Sequence, residues 1–289
     1  MENKITGHTR LVGLYATPIR HSVSPMIQNT AFQALGIDAV YLAFELGTDR
    51  LPQAIDSIRN LDMLGANLSM PNKMAAVPLM DDLSEAAKLV GAINTIVNVN
   101  GKLTGHITDG TGFMRSLKDM DIDIIGRKMT LIGAGGAATA IIVQAALDGV
   151  KEIAVYNRRD EFFEKVKEKL TYIKQQTDCN IHLHDLENES ELAADVKDST
   201  LLVNATGVGM KPDLEAAPIS DFSIITKDLA VFDVIYTPRE TRLLKEAKAR
   251  GAKTANGLGM LLYQGAAAFE LWTGKEMPIE TVKSIIENS

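Results

Sequence analysis

The stretch Met129-Thr130-Leu131-Ile132-Gly133-Ala134-Gly135-Gly136-Ala137-Ala138 decides the architecture of this chain. Four strand-forming residues run into a glycine turn, and the residues that follow, through Leu147, have the apolar content of a buried helix. A second apolar run, Glu152 to Tyr156, ends in Asn157-Arg158-Arg159-Asp160. Strand, turn, helix and strand make a βαβ unit. The turn fits G-x-G-x-x-G/A: the first glycine permits the tight turn, the second lets backbone approach a pyrophosphate, and the small third position allows close helix packing. The pattern predicts a dinucleotide phosphate site over Gly133, Ala134, Gly135, Gly136 and Ala137, with N–H groups of the helix start facing the anion.

Working outward, Leu201 to Asn204 and Ala230 to Val234 are further strands with helical sequence between them, as an open parallel sheet requires. The acidic residues 185 to 198 read as a solvated helix or loop. Toward the N-terminus, strands over 11–15, 40–44 and 65–69 alternate with helices near Pro25 and over 52–61. Ala92 to Val99 and Leu103 to His106 flank Asn100-Gly101, a hairpin signal, so parallel and antiparallel features mix in this half. A helix from Gly110 to about Met120 leads into the second half. The apolar helix Met260 to Leu271, stopped by Gly274, needs a covering surface. The predicted fold is α/β with two domains. An N-terminal α/β substrate domain with a mixed sheet, residues 1–112, is completed by C-terminal helices over 258–289, and a Rossmann-type dinucleotide-binding domain occupies 113–257.

Composition narrows the function classes. Of 289 residues, 46% are hydrophobic and 23% charged, values of folded soluble proteins that leave room for two cores. A net charge of -7 offers no footprint for nucleic acid. Cys179 is the single cysteine, which excludes an intrachain disulfide and a cysteine zinc cluster and suits a reducing compartment. Glu2, Lys4, His8 and Arg10 interrupt the N-terminus and no run of 18 apolar residues occurs, so a cytoplasmic protein without a membrane partner is expected. His182 and His184 alternate on a strand without a third ligand, and no metal site is expected. Hydrolase and kinase motifs such as G-x-S-x-G, the Walker loop and H-E-x-x-H do not occur.

Three segments of the first half join the glycine turn: Ser22-Val23-Ser24-Pro25, Asn67-Leu68-Ser69-Met70-Pro71-Asn72-Lys73, and Gly91-Ala92-Ile93-Asn94-Thr95, followed by Thr108-Asp109-Gly110. Together, in this order, they resemble the shikimate dehydrogenase family from about Leu11 to the C-terminal helix. The Asn157 to Asp160 ending most resembles its bifunctional quinate/shikimate branch. The resemblance implies reversible oxidation of shikimate to 3-dehydroshikimate, and of quinate to 3-dehydroquinate, in the aromatic amino-acid (chorismate) pathway. It implies Lys73 and Asp109 as the catalytic pair flanking the oxidised hydroxyl, Ser22 and Ser24 on the substrate carboxylate, and Ser69 and Asn94 on ring hydroxyls. It further implies that Gln264, after Asn256-Gly257-Leu258-Gly259-Met260, reaches the substrate, as does Tyr236, and that Gly257, Val234 and Lys211 belong to the cofactor side. Removing a hydride from a secondary alcohol leaves a protonated carbonyl, so a proton acceptor must act as the hydride departs. Lys73 suits that role.

The resemblance also shows departures. Ile107 stands where the family commonly has Asn, Ser69 where it has Thr, and Asn72 where it has Phe. They alter the ring pocket without removing a proton carrier. At the adenosine end Asp160 favours the free 2′-hydroxyl of NAD, whereas Arg158 and Arg159 would attract the 2′-phosphate of NADP, with Asn157 beside them. NAD is therefore favoured, with NADP as the alternative. Two other readings stay open: a related dehydrogenase for another small carboxylated alcohol, and a protein that senses dinucleotide without catalysis. A homodimer is also open.

Overall fold

The computed structural model describes residues 5–287. Glu2 and Lys4, part of the signal-peptide argument, lie outside them. Backbone contacts divide the chain into two compact units, one running to Gly112 and resuming at Leu262, the other Phe113–Leu261.

The first unit contains β1 (Arg10–Ala16), α1 (Ser24–Ala34), β2 (Ala39–Glu45), α2 (Leu51–Asn60), β3 (Gly65–Leu68), α3 (Asn72–Ala75), β4 (Asp82–Leu83), α4 (Glu85–Val90), β5 (Thr95–Val99) and β6 (Lys102–His106). Its sheet has the order β2-β1-β3-β5-β6-β4 and is mixed: β1 is parallel to β2 and β3, β5 is antiparallel to β3 and β6, and β4 is parallel to β6. The hairpin at Asn100-Gly101 forms with both residues at positive φ. Register sets the function. Leu68 lies beside Tyr15, and Asn67 faces Thr95, which in turn faces His106. The loops after β1, β3 and β6 and before β5 are therefore gathered at one end of the sheet.

α5 (Asp109–Asp119) leads into the second unit, which holds β7 (Lys128–Ile132), α6 (Gly136–Leu147), β8 (Glu152–Asn157), α7 (Phe163–Gln176), β9 (Asn180–Asp185), α8 (Glu189–Asp198), β10 (Leu201–Asn204), β11 (Ala230–Asp233), α9 (Arg242–Ala249) and β12 (Lys253–Ala255). The sheet is wholly parallel, in the order β12-β11-β10-β7-β8-β9. Helices cover both faces of such a sheet, which is why β10 and β11 are buried at every residue. α10 (Leu258–Thr273) returns the chain to the first unit and α11 (Ile279–Glu287) closes it. The covering surface that α10 needs is the first unit's own core: Phe269 packs on Phe32 at 5.2 Å, and the Trp272 indole donates to the Ile96 carbonyl at 2.9 Å.

One expectation is corrected. The acidic stretch 185–198 is not simply solvated: Leu192 and Val196 are buried, and Asp195 turns inward from α8. Asp195 accepts from Lys128 Nζ at 2.7 Å and from the Tyr156 hydroxyl at 2.5 Å, and Lys128 also meets Glu152 at 2.8 Å. Burial alone would raise the Asp195 pKa, but the hydrogen bonds from Lys128 and Tyr156 outweigh it and hold the carboxyl below its ordinary range. Because the folded-state pKa is depressed, this stabilisation is present above the unfolded value and is lost as pH falls through the folded one. Asp195→Ala should cost about 2–3 kcal/mol, less than a fully buried pair because both groups still see some solvent. Denaturant midpoints at neutral and acid pH check this: the gap from wild type should narrow in acid, and equal midpoints at neutral pH would contradict it.

Candidate functional site

The gathered loops of the first unit bring together side chains far apart in sequence. Lys73 lies on the single turn of α3, just after the cis Met70–Pro71 bond, and Asp109 opens α5. Lys73 Nζ donates to Asp109 Oδ2 at 2.6 Å, with only 25% and 17% of the two side chains exposed. Asn94, at the head of β5, donates to Asp109 Oδ1 at 3.3 Å, to Gln264 Oε1 at 3.3 Å and to Thr108 Oγ1 at 2.9 Å. Its Oδ1 accepts from the Thr108 N–H at 2.8 Å. Both Asp109 oxygens thus have donors, and the carboxylate is fixed from two sides. The ion pair holds a flexible lysine in one place, at the mouth of a buried polar cluster.

The rest of the first-unit set sits around this pair. Ser69 follows β3, its N–H bonded to the Tyr15 carbonyl at 3.2 Å. Ser22 lies between β1 and α1 and Ser24 opens α1, both half-buried, with the Ser24 N–H donating to Ser22 Oγ at 3.2 Å. Ser24 also shares a side-chain hydrogen bond with Tyr41. Tyr41, fully buried, donates to Asn67 Oδ1 at 2.8 Å, and Asn67 Nδ2 reaches the Asn94 carbonyl at 2.9 Å. A continuous hydrogen-bonded chain therefore runs from the serine loop to Asn94. Tyr41 and Asn67 were not assigned from sequence. Asn67 inside an apolar strand was a usable signal; Tyr41 had none. Asn72, the departure beside Lys73, is buried and its amide ties the Tyr15 and Leu46 carbonyls together. It acts as a backbone staple under Lys73.

In the second unit the glycine turn joins β7 to α6. Gly133 has φ +110°, and a Cβ there would lie 2.9 Å from the Ala205 carbonyl oxygen. Gly135, Gly136 and Ala137 are exposed and Ala134 half-buried; a Cβ on Gly135 or Gly136 would meet nothing within 4 Å. The first-turn N–H groups of α6 have no carbonyl one turn earlier. Open space in front of unpaired donors at the end of a parallel strand fits the pyrophosphate of a dinucleotide. At the end of β8, Arg158, Arg159 and Asp160 are exposed and Asn157 half-buried. Arg158 lines an open cavity of about 590 Å3 together with Glu187, Glu189 and Arg242.

Val234 and Tyr236 follow β11, Val234 half-buried and Tyr236 45% exposed. Gly257 precedes α10, and its backbone is so close to Val234 that a Cβ would fall 2.0 Å from the Val234 oxygen. Lys211 is exposed on the loop after β10. His184 faces Glu191 at 2.9 Å and stacks on Tyr156, a structural use of the alternating histidines. Among the described residues no helix is long and apolar enough to cross a membrane.

A profile of the shikimate dehydrogenase substrate binding domain matches residues 14–96, and one of the shikimate 5′-dehydrogenase C-terminal domain matches residues 257–287. Shikimate dehydrogenase (NADP(+)) of Listeria monocytogenes serotype 4b is 52% identical over 98% of this chain and 97% of that protein. The crystal structure of shikimate 5-dehydrogenase from Listeria monocytogenes in complex with shikimate and NAD superposes with a TM-score of 0.96 at 52% identity, covering 99% of both chains. Quinate dehydrogenase from Corynebacterium glutamicum in complex with NAD gives 0.86 at 29% identity, covering 97% of this chain and 99% of that one. The chain belongs to the shikimate dehydrogenase family.

Proposed function

We propose that this protein is an NAD(P)-dependent shikimate dehydrogenase that interconverts shikimate and 3-dehydroshikimate. The observation that carries this is the Lys73–Asp109 pair at 2.6 Å, braced by Asn94 beside Gln264. A nicotinamide dinucleotide, when bound, supplies the hydride acceptor. As the Lys73 ammonium passes the proton it shares with Asp109 to that carboxylate, its Nζ takes the proton of the oxidised hydroxyl, and the same transfers in reverse protonate the carbonyl oxygen in reduction. Asp109 keeps Lys73 in place and, with Asn94, bounds the reacting carbinol. Ser22 and Ser24 hold the carboxylate, Ser69 and Asn94 the ring hydroxyls, with Gln264 and Tyr236 as further substrate contacts. Gly133 through Ala137 receive the pyrophosphate, and Val234, Gly257 and Lys211 serve the nicotinamide side. Quinate, which shares the ring, carboxylate and carbinol, is a second substrate. A matrix of kcat/KM for shikimate and quinate with NAD and NADP tests the assignment: turnover of shikimate with at least one dinucleotide is expected, and turnover of neither acid would overturn it.

We further propose that NAD is used at least as well as NADP, with modest discrimination. Asp160 Oδ1 accepts from the Phe162 N–H at 3.0 Å, which holds the carboxylate at the strand end. There it hydrogen-bonds a free ribose 2′-hydroxyl and repels a 2′-phosphate. Arg159 lies over the Phe163 ring at 5.4 Å, and Arg158 shares its cavity with two glutamates and Arg242, a balanced set of charges. Asp160→Ala should move the ratio of kcat/KM toward NADP by about tenfold, one interaction of roughly 1.4 kcal/mol. Measuring both cofactors in wild type and variant checks this, and a strong wild-type preference for NADP that ignores the substitution would contradict it.

A further inference from the structure

Asp233, the last residue of β11, is a fully buried carboxyl that the proposed mechanism does not use. Three neutral donors converge on it. Asn204 Nδ2 and the Ile235 N–H reach Oδ1, each at 3.0 Å, and Thr241 Oγ1 reaches Oδ2 at 2.8 Å. Burial pushes its pKa up despite these three bonds, so the site carries a desolvation cost that an apolar residue would not. What the carboxyl gains is control of three chain segments at once. Asn204 is itself bonded to the Thr206 N–H and hydroxyl and to the Val208 carbonyl, so its orientation sets the turn after β10. Ile235 holds the turn after β11, and its carbonyl accepts from the Gly257 N–H at 3.1 Å. Gly257 in turn has no room for a side chain against Val234. Thr241 is the N-cap of α9, its Oγ1 accepting from the Leu244 N–H.

We infer that Asp233 is the positioning residue of the nicotinamide side, a buried knot that fixes residues 204–208, 234–236 and the Gly257 backbone in one arrangement. This rests on the dinucleotide reading given above. A knot of this kind acts on hydride transfer through distance, where a misplacement of about 1 Å costs on the order of 10²-fold. The carboxyl shape, rather than its charge, does the positioning. In Asp233→Asn the retained oxygen still accepts from Asn204 and Ile235, and the amide faces a Thr241 hydroxyl that can rotate to accept.

The test compares Asp233→Ala and Asp233→Asn in the full-length protein, with dinucleotide affinity measured separately by fluorescence titration. Asp233→Ala should raise the dinucleotide KM and Kd and lower kcat, each by about tenfold, while the shikimate KM stays within about twofold. The primary deuterium isotope effect on kcat, with shikimate deuterated at the reacting carbon, should increase as hydride transfer becomes limiting. Asp233→Asn should recover most of both properties. If Asp233→Ala does not fold, Thr241→Val removes one of the three donors and should shift the same parameters in the same direction by less. A lowered Tm with unchanged dinucleotide KM and isotope effect would overturn the inference, as would an Asn variant as impaired as the Ala variant. Wild-type protein that binds dinucleotide but leaves shikimate unchanged would instead defeat the functional reading, and the Kd comparison would still decide the role of Asp233.

Discussion

Lys73→Ala should lower kcat for shikimate oxidation by about 10²-fold or more, the scale for losing a positioned acid/base, with a smaller change in KM. The reason is geometric. Lys73 Nζ is held at 2.6 Å from Asp109, and Asp109 is held from the other side by Asn94, so the amine is presented in one place with two further positions for substrate. Binding of the carboxylate and the ring hydroxyls rests on other residues and should largely survive, which is why the loss falls on kcat. Steady-state kinetics at saturating shikimate and dinucleotide measure it. A variant with near-normal kcat would remove Lys73 from the proton transfer.

Gly133→Ala should raise the dinucleotide KM by roughly 30-fold, corresponding to about 2 kcal/mol of backbone strain at the turn. At φ +110° an L side chain is strained in any surroundings, and here the new Cβ would also press on the Ala205 carbonyl at 2.9 Å. Relief requires the turn or the end of β10 to move, and both border the phosphate site. The shikimate KM should change little, because the serine loop and the Lys73 cluster belong to the other unit. An unchanged dinucleotide KM would show that the turn tolerates displacement and does not bind the phosphates as proposed.

The parallel sheet was legible because its strands are short apolar runs punctuated by turns, and Asn100-Gly101 announced its own hairpin. β12 was not legible: Lys253 to Ala255 is three residues with no periodicity, and it is a strand only because it pairs with β11. β4 has two residues and the same explanation. The inward turn of Asp195 escaped because an acidic helix face reads as solvated until its partners on β7 and β8 are known. At the site, Lys73, Asn94, Asp109 and Gln264 could not be joined by spacing, since strand register and the return of α10 bring them together. Only the ordered motifs of the family linked them beforehand. Asp233 offered a signal that went unread, a charge inside the apolar run Ala230 to Ile235, whose meaning depends on three donors from separate segments.

In this mechanism shikimate gives its hydride to the bound dinucleotide and its hydroxyl proton to Lys73. The most direct measurement mixes purified protein with shikimate and NAD or NADP, follows reduced nicotinamide by its absorbance, and identifies the acid formed. One equivalent of 3-dehydroshikimate is expected for each reduced nicotinamide, with the reaction running backward when 3-dehydroshikimate and reduced dinucleotide are supplied. Folded protein that binds both shikimate and dinucleotide yet forms no reduced nicotinamide with either cofactor would contradict it.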